Sequence, residues 1–211
     1  MLIQRFLDNL PAGIPESPVI LDLGSCDGEQ ACEFARRFPS ARIFAFEARP
    51  SSAANVRTRT AQYSNIAVVE AAVREFDGQT TLYAVDQGNA GASSLFVGSG
   101  VQDIHPIQQR PVTVPALRLD TWAMKANIAC FDLVWMDLQG AELLALRGMG
   151  DLIRTVRAMQ LEITYRELYR RQAMWPEVRT FLGQHGLRLA DEWPDVCGYF
   201  GDAVFVRDAA R

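Results

Sequence analysis

The N-terminal third of the chain alternates short apolar runs with amphipathic segments, and this order constrains the fold more than any other feature. Three runs, at 19–23, 42–47 and 66–70, have the length and apolar character of β-strands. The segments between them, 29–38 and 50–61, carry apolar residues at helical spacing. We therefore predict a parallel sheet whose strands are joined by right-handed helical crossovers.

The alternation is interrupted in the middle of the chain. Extended runs at 80–85 and 111–119 predict an inserted β-hairpin around 78–119. The residues between the runs, 86–111, are rich in Gly, Ser, Asn and Gln, and an irregular stretch of this length is typical of a functional loop or a disordered one. We expect this stretch to be a substrate or lid loop.

Strands and helices alternate again towards the C-terminus. Further central strands are predicted at 131–137 and 157–164. Two final strands, at 187–191 and 203–207, are separated by too few residues for a helical crossover. We therefore predict that the last two strands form an antiparallel pair.

Length and composition fit one α/β domain over 1–211, a doubly wound, Rossmann-like and mostly parallel sheet. Residues 1–15 are predicted to be a helical lead, not a signal peptide, and no apolar run is long enough to span a membrane. The net charge of −4 disfavours nucleic acid as a partner. Scattered cysteines without CxxC spacing favour a reducing cytoplasm over a zinc site; they are Cys26, Cys32, Cys130 and Cys197.

The loop after the first strand is bracketed by Gly24 and Gly28. Glycines allow the backbone to approach a ligand closely, and the helix that follows offers free N–H donors. A loop between a strand and a helix holds the nucleotide in doubly wound folds. We therefore expect Asp22, Ser25 and Cys26 to lie with the two glycines around a bound cofactor.

Acidic residues around this loop indicate which cofactor it binds. Glu47 ends the second strand, about 20 residues beyond Gly24, where a carboxylate accepts both hydroxyls of a ribose; the alternative is a solvated carboxylate. Asp27 and Glu29 flank Gly28, which disfavours a pyrophosphate at the helix start. A cationic sulfonium tolerates these carboxylates better, so the sequence favours S-adenosylmethionine over NAD.

Acidic residues also follow or lie within the later central strands. Asp137 leaves its strand at the switch point, where it either faces the ligands or caps a helix, and Glu142 is predicted as a cap or a site residue. Glu162, inside an apolar run, is a candidate base, substrate ligand or salt-bridge partner. His105, in the long loop, is a further candidate base or an incidental residue. We predict no metal, with a divalent ion between Asp137 and Glu162 as the alternative.

Six segments of the chain follow one another in an order shared with a known family. They lie at 20–28, 44–50, 92–95, 117–121, 136–148 and 160–163. The run Asp-Leu-Gln-Gly-Ala-Glu at 137–142 is the most specific. In these segments the chain resembles class I S-adenosylmethionine-dependent methyltransferases and, within that class, the FkbM family. The resemblance implies a seven-stranded sheet with an antiparallel last strand, and methyl transfer to a hydroxyl, often on a sugar or natural-product scaffold.

The resemblance also implies roles for residues around the cofactor. The backbone of 24–28 would hold the methionine part of S-adenosylmethionine, and Glu47 would hold its ribose. Contacts to adenine are expected at Ala71 and Ala72, and Ala48 is a further predicted cofactor-binding residue. Cofactor binding is thereby predicted at the ends of the first three strands.

On the acceptor side, the resemblance implies that Asp137 and Glu162 face the methyl acceptor and that the loop at 93–94 closes over it. Cys26 departs from the family pattern. We predict a small-molecule or saccharide acceptor, and neither a nucleic-acid nor a membrane partner. An NAD-dependent oxidoreductase and a non-catalytic cofactor-binding module are the alternative functions.

Overall fold

The computed structural model of the protein describes residues 2–104 and 106–208. Its strands are β1 (Val19–Leu23), β2 (Arg42–Phe46), β3 (Ile66–Val69), β4 (Ala72–Val73), β5 (Gly78–Gln87), β6 (Gln108–Leu117), β7 (Leu133–Met136), β8 (Ala158–Thr164), β9 (Arg188–Pro194) and β10 (Phe200–Val206). Its helices are α1 (Leu2–Asp8), α2 (Glu29–Arg37), α3 (Pro50–Thr60), α4 (Leu119–Lys125), α5 (Glu142–Gly148) and α6 (Trp175–Gln184). None of the described helices is long and apolar enough to cross a membrane.

The central sheet has seven strands in the order β3-β2-β1-β7-β8-β10-β9. The first five are parallel, and β10 runs antiparallel to both β8 and β9. The predicted doubly wound, mostly parallel α/β sheet with antiparallel C-terminal strands is confirmed. The terminal pair is displaced from its predicted bounds, because β9 continues to Pro194 and β10 begins at Phe200.

Both faces of the central sheet are covered, which explains why β1 is apolar at almost every position. Successive strand residues point to opposite faces. Leu21 packs in one core with Met159, whereas Ile20 packs on the other face with Phe34 and Trp135. Parallel strands buried on both faces produce continuous apolar runs. Asp22, the acidic residue of β1, is therefore the exception to this apolar pattern, and it lies just before the loop bracketed by Gly24 and Gly28.

A second, smaller sheet follows β3. Its order is β4-β6-β5, in which β5 and β6 form the predicted antiparallel hairpin and β4 pairs in parallel with β6. The hairpin strands reach Gln87 and Gln108 because ladder hydrogen bonds continue through polar residues that carry no apolar pattern. The irregular connection is therefore shorter than the predicted 86–111.

The connecting segment (residues 88–104 with 106 and 107) packs on the residues that follow β8. The backbone N–H groups of Ser99 and Val101 donate to the carbonyl oxygen of Leu168 at 2.8 and 3.1 Å. The side chain of Tyr169 is fully buried in an apolar cluster that also contains Val101 and Leu168. This packing holds the predicted substrate or lid loop beside the carboxyl ends of the central strands.

Candidate functional site

Two adjacent cavities lie where the carboxyl ends of β1, β2, β7 and β8 come together. The chain order reverses between β1 and β7, and ligands of doubly wound folds bind at such a switch point. Gly91 of the connecting segment and Asp137, directly after β7, line both cavities. Molecules bound in the two cavities would therefore meet at Gly91 and Asp137.

The first cavity contains about 720 Å³ of empty space, part of which is open to solvent. The segments after β1, β2, β3 and β7 line it together with the connecting segment. The predicted cofactor residues on its wall are Gly24, Cys26, Glu47, Ala48, Ala71, Ala72 and Asp137. Apolar side chains of the small sheet, including Leu82, complete a slot beside the three alanines.

The loop after β1 is closely packed against the neighbouring strand ends. Gly24 has a φ of 86°, and a Cβ at this position would lie 1.8 Å from the carbonyl oxygen of Asp137. The N–H groups of Gly24 and Ser25 both donate to the carbonyl oxygen of Phe46 at 3.0 Å. Only glycine fits here, since any side chain would collide with the backbone after β7.

The carboxylate of Glu47 lies at the first cavity and organises the loop. Its Oε2 accepts from the N–H of Cys26, and its Oε1 accepts from the N–H of Arg49, each at 2.8 Å. Burial raises the pKa of Glu47, and these backbone donors oppose that rise. A carboxylate oxygen has two lone pairs, so each oxygen can accept one further hydroxyl donor. The arrangement fits the two hydroxyls of a ribose.

Asp22, Ser25 and Gly28 lie behind the loop, outside the lining of the first cavity. The Oγ of Ser25 donates to Oδ2 of Asp22 at 2.6 Å, and both side chains are buried. Burial, together with the nearby charges of Glu47 and Asp137, raises the pKa of Asp22 to about 7. Gly28 has a φ of 82° and packs against α3. These three residues therefore support the loop on the side that faces away from the first cavity.

The second cavity contains about 580 Å³ of empty space, part of which is open to solvent. Asp137, Gln139 and Glu162 form its polar wall, with Asn89 nearby. Apolar side chains close the rest of it, namely Val101, Ile104, Leu168 and Phe200. The structure thus brings two predicted acceptor-site carboxylates together in one cavity beside the first.

A glutamine joins the two carboxylates of this wall. The Nε2 of Gln139 donates to Oδ1 of Asp137 at 2.7 Å and to Oε2 of Glu162 at 3.0 Å. Burial raises the pKa of both carboxyls, and the charges of Asp137, Glu142 and Asp202 raise that of Glu162 further. Protein surrounds Asp137 closely, yet its side chain remains accessible from the cavities. The pair therefore has an increased proton affinity and lies on the wall of a cavity that a ligand can enter.

Glu142 supports the turn after β7. Its Oε1 accepts from the N–H groups of Leu138 and Gly140 at 2.9 and 3.2 Å, and burial raises its pKa to about 7. These donors belong to the turn before α5, and the N-cap residue of this helix, Ala141, makes no side-chain capping hydrogen bond. The Oγ of Ser94 donates to the carbonyl oxygen of Gln139 at 2.7 Å, which ties the connecting segment to the same turn.

Sequence reasoning missed Gln139 and Tyr169 as site residues. The hydroxyl of Tyr169 donates to Oε1 of Gln139 at 2.8 Å, an interaction between distant segments that no local pattern encodes. His105, the other candidate base, lies outside the described residues. Across 2–104 and 106–208, no group of three or more His, Cys, Asp or Glu side chains is arranged to hold a metal ion.

Comparisons with known proteins agree with this geometry. A family model described as the methyltransferase FkbM domain matches residues 22–189. The chain is 30% identical over 162 residues to the 2-O-methyltransferase NoeI of Sinorhizobium fredii, covering 74% of this chain and 67% of that protein. It is 26% identical over 220 residues to Methyltransferase 1 of Beauveria bassiana, covering 92% of this chain and 81% of that protein.

Solved structures share the fold at low sequence identity. Fibrillarin of Aeropyrum pernix, solved with bound S-adenosyl-L-methionine, superposes with a TM-score of 0.54 at 14% identity, over 97% of this chain and 74% of that chain. Magnesium protoporphyrin IX methyltransferase of Synechocystis, also with the bound cofactor, gives 0.54 at 12% identity, over 98% and 76%. These similarities show the architecture in which the two cavities lie.

Proposed function

Since the chain belongs to the FkbM family of S-adenosylmethionine-dependent methyltransferases, we propose that it methylates a hydroxyl oxygen of a small, uncharged, polyhydroxylated acceptor such as a saccharide. The observation that carries the proposal is the shared boundary of the two cavities at Gly91 and Asp137. A donor in the first cavity and an acceptor in the second would come into contact there. The name of the relative NoeI, a 2-O-methyltransferase, supports oxygen as the acceptor atom.

The first cavity fits the cofactor. Glu47 would accept the ribose hydroxyls, and the exposed backbone of 24–26 would hold the methionine part. Adenine would lie in the slot formed with Ala48, Ala71 and Ala72. Asp22, Ser25 and Gly28 would contribute by shaping the loop from behind.

The protein's own residues would orient the acceptor and remove its proton. When bound, S-adenosylmethionine supplies an electrophilic methyl group on a cationic sulfonium. The walls of the second cavity would aim a hydroxyl oxygen at the boundary near Asp137. Orientation of a reacting pair lowers the barrier by about 7–11 kcal/mol. The largest contribution of this chain would therefore be the shape of the two cavities.

The carboxylates of Asp137 and Glu162 are the candidate bases. Burial raises the pKa of each, and the charge of Asp137 raises that of Glu162 further; a raised pKa makes a carboxylate a stronger base near neutral pH. The pair would accept a hydrogen bond from the hydroxyl of the bound substrate and would take its proton. Either member can fill this role, because both line the second cavity.

The charge of the second cavity favours an uncharged acceptor. Among the described residues that line it, two are carboxylates and none is Arg or Lys. An anionic acceptor would be repelled by the pair. The apolar faces of Leu168 and Phe200 suit the C–H face of a sugar ring.

The test is turnover with matched acceptors that differ only in charge. Release of S-adenosylhomocysteine is measured with neutral methyl glycosides, the corresponding uronates and the corresponding sugar phosphates. We expect turnover with neutral members of the panel and at least about tenfold lower kcat/KM for their anionic counterparts, a difference of about 1.4 kcal/mol. Preferred turnover of the anionic members would contradict the proposal.

A further inference from the structure

Gln139 lies between the two carboxylates of the second cavity and uses all of its amide hydrogens on them. Its Nε2 donates to Oδ1 of Asp137 at 2.7 Å and to Oε2 of Glu162 at 3.0 Å. A side-chain amide has two N–H donors, so one goes to each carboxylate. The amide therefore bridges two like charges and stabilises the ionised form of each.

The orientation of this amide is set by the groups around it. Tyr169 donates its hydroxyl to Oε1 of Gln139 at 2.8 Å, and the same hydroxyl lies 3.1 Å from the carbonyl oxygen of Ala92. The reverse orientation would place the amide oxygen against two carboxylates, which accept only. The hydrogen-bonding capacities of the neighbours thus fix the amide in one orientation.

The backbone of Gln139 is also held from two sides. Its φ of 52° is in the left-handed region, which a glutamine adopts only when its surroundings enforce it. The Oγ of Ser94 donates to its carbonyl oxygen at 2.7 Å. Tyr169 is in turn fixed by Gln172, whose Oε1 accepts from the N–H of Tyr169 at 2.6 Å. These contacts link the connecting segment to the carboxylate pair through Gln139.

We propose that Gln139 is the positioning residue of the acceptor site, whose amide holds the carboxylates of Asp137 and Glu162 at a fixed separation and keeps one of them free to accept a proton, with Tyr169 fixing the orientation of that amide. The inference rests on the proposed function for the identity of the reaction. The hydrogen bonding of Gln139 to the two carboxylates is a property of the protein alone, and its effect is measurable without any methyl acceptor.

The charged and titratable groups that face the pair make the two donors necessary. The negative charges of Asp137, Glu142 and Asp202 act on Glu162, and the phenol of Tyr169 lies beside it. Burial raises the pKa of both members of the pair, and the N–H donors of Gln139 oppose this rise. Without those donors, both carboxyls would hold their protons to higher pH and lose their use as bases.

The experiment is a pH titration of the side-chain carboxyl carbons by NMR in the full chain, with Asp and Glu labelled with carbon-13. Signals are assigned with Asp137→Asn and Glu162→Gln. In Gln139→Leu we expect both apparent pKa values of the pair to move up, and in Tyr169→Phe we expect a smaller shift in the same direction. Gln184→Leu, an exposed change on α6, serves as the matched control and should leave the pair unchanged.

A second variant keeps the test decisive if Gln139→Leu does not fold. Gln139→Glu preserves the shape and replaces two donors by a third carboxylate, so the cluster should bind one more proton near neutral pH than the wild type. An unchanged titration of the pair in whichever variant folds would overturn the proposal. Calorimetric titration with S-adenosylhomocysteine is run on the same samples. If the wild type does not bind this ligand, the proposed function is refuted. The role of Gln139 is decided by the carboxyl titration alone.

Discussion

The N–H of Cys26 donates a 2.8 Å hydrogen bond to Oε2 of Glu47, so one carboxylate joins the end of β2 to the loop after β1. The same carboxylate faces the first cavity. Loop shape and ligand recognition are thus connected through a single side chain. The hydrogen bond also helps to hold Cys26 in the left-handed region, with a φ of 54°.

Glu47→Gln should weaken binding of S-adenosylhomocysteine. The amide retains one acceptor oxygen and directs an NH₂ group at a backbone donor, so one charge-assisted hydrogen bond of about 1.5–3 kcal/mol is lost. We expect Kd to rise about 10- to 100-fold in a calorimetric titration. Glu16→Gln, at an exposed position, is the control and should bind as the wild type does. Equal affinities of the two variants for S-adenosylhomocysteine would show that Glu47 does not contribute to cofactor binding.

Gly24→Ala should destabilise the protein much more than Gly13→Ala. Both glycines have a positive φ, of 86° and 83°, so both substitutions carry a similar backbone cost of about 1–2 kcal/mol. Only at Gly24 would the new Cβ lie 1.8 Å from a carbonyl oxygen, that of Asp137, while Gly13 has no neighbour within 4 Å. Urea denaturation of the two variants measures the difference. Similar losses at both positions would show that the loop is not packed against the end of β7.

Asp22 should make the protein less stable as the pH rises. Burial raises the pKa of its carboxyl to about 7 in the folded state, from about 4 in the unfolded chain. The folded state therefore binds the proton more tightly, and the free energy of unfolding falls between these two pH values and then levels off. Asp22→Asn should remove a fall on the order of 2–4 kcal/mol between pH 4 and pH 8.

Urea denaturation of Asp22→Asn and the wild type across this range tests that expectation. Asp151→Asn, at a fully exposed side chain, is the matched control and should reproduce the wild-type pH dependence. If Asp22→Asn follows the same pH dependence as the control, Asp22 is ionised in the folded protein at acid pH and does not carry a raised pKa.

Glu162→Gln should change the pH profile of methyl transfer as well as its rate. In the wild type, kcat/KM should rise with pH as the Asp137–Glu162 pair loses its proton, because burial raises the pKa of both carboxyls and the charge of Asp137 raises that of Glu162 further. With a neutral partner, Asp137 no longer feels the charge of Glu162, so the rise should move to lower pH. Because Asp137 remains as a base, kcat should fall by less than the roughly 10²- to 10⁴-fold that loss of all base catalysis costs. An unaltered profile would place the base elsewhere.

The order of elements and the strand-end carboxylates were predictable because both are local signals. Apolar periodicity is visible in the chain itself, and Glu47 and Asp137 are the residues directly after β2 and β7. The two-residue strand β4 is too short to carry a pattern. The contact between Tyr169 and Gln139 joins segments that are 30 residues apart and arises only when the connecting segment packs on the residues after β8.

The loop residues illustrate the same limit. The motif marks Asp22, Ser25 and Gly28 together with Gly24, but only a three-dimensional arrangement separates the side that faces the cavity from the side that faces the core. Ser25 and Asp22 pair with each other in the interior. A sequence motif records that a residue belongs to the loop, and packing decides which surface it contributes to.

Identification of the methylated atom tests the central claim most directly. The wild type is incubated with S-adenosylmethionine carrying a carbon-13 methyl group and with a neutral methyl glycoside that turns over, and the product is analysed by NMR. We predict a single labelled methyl ether whose carbon correlates with one ring position, and loss of this signal in the Asp137→Asn, Glu162→Gln double variant. A labelled methyl on nitrogen or carbon, or an undiminished ether signal in the double variant, would contradict the account.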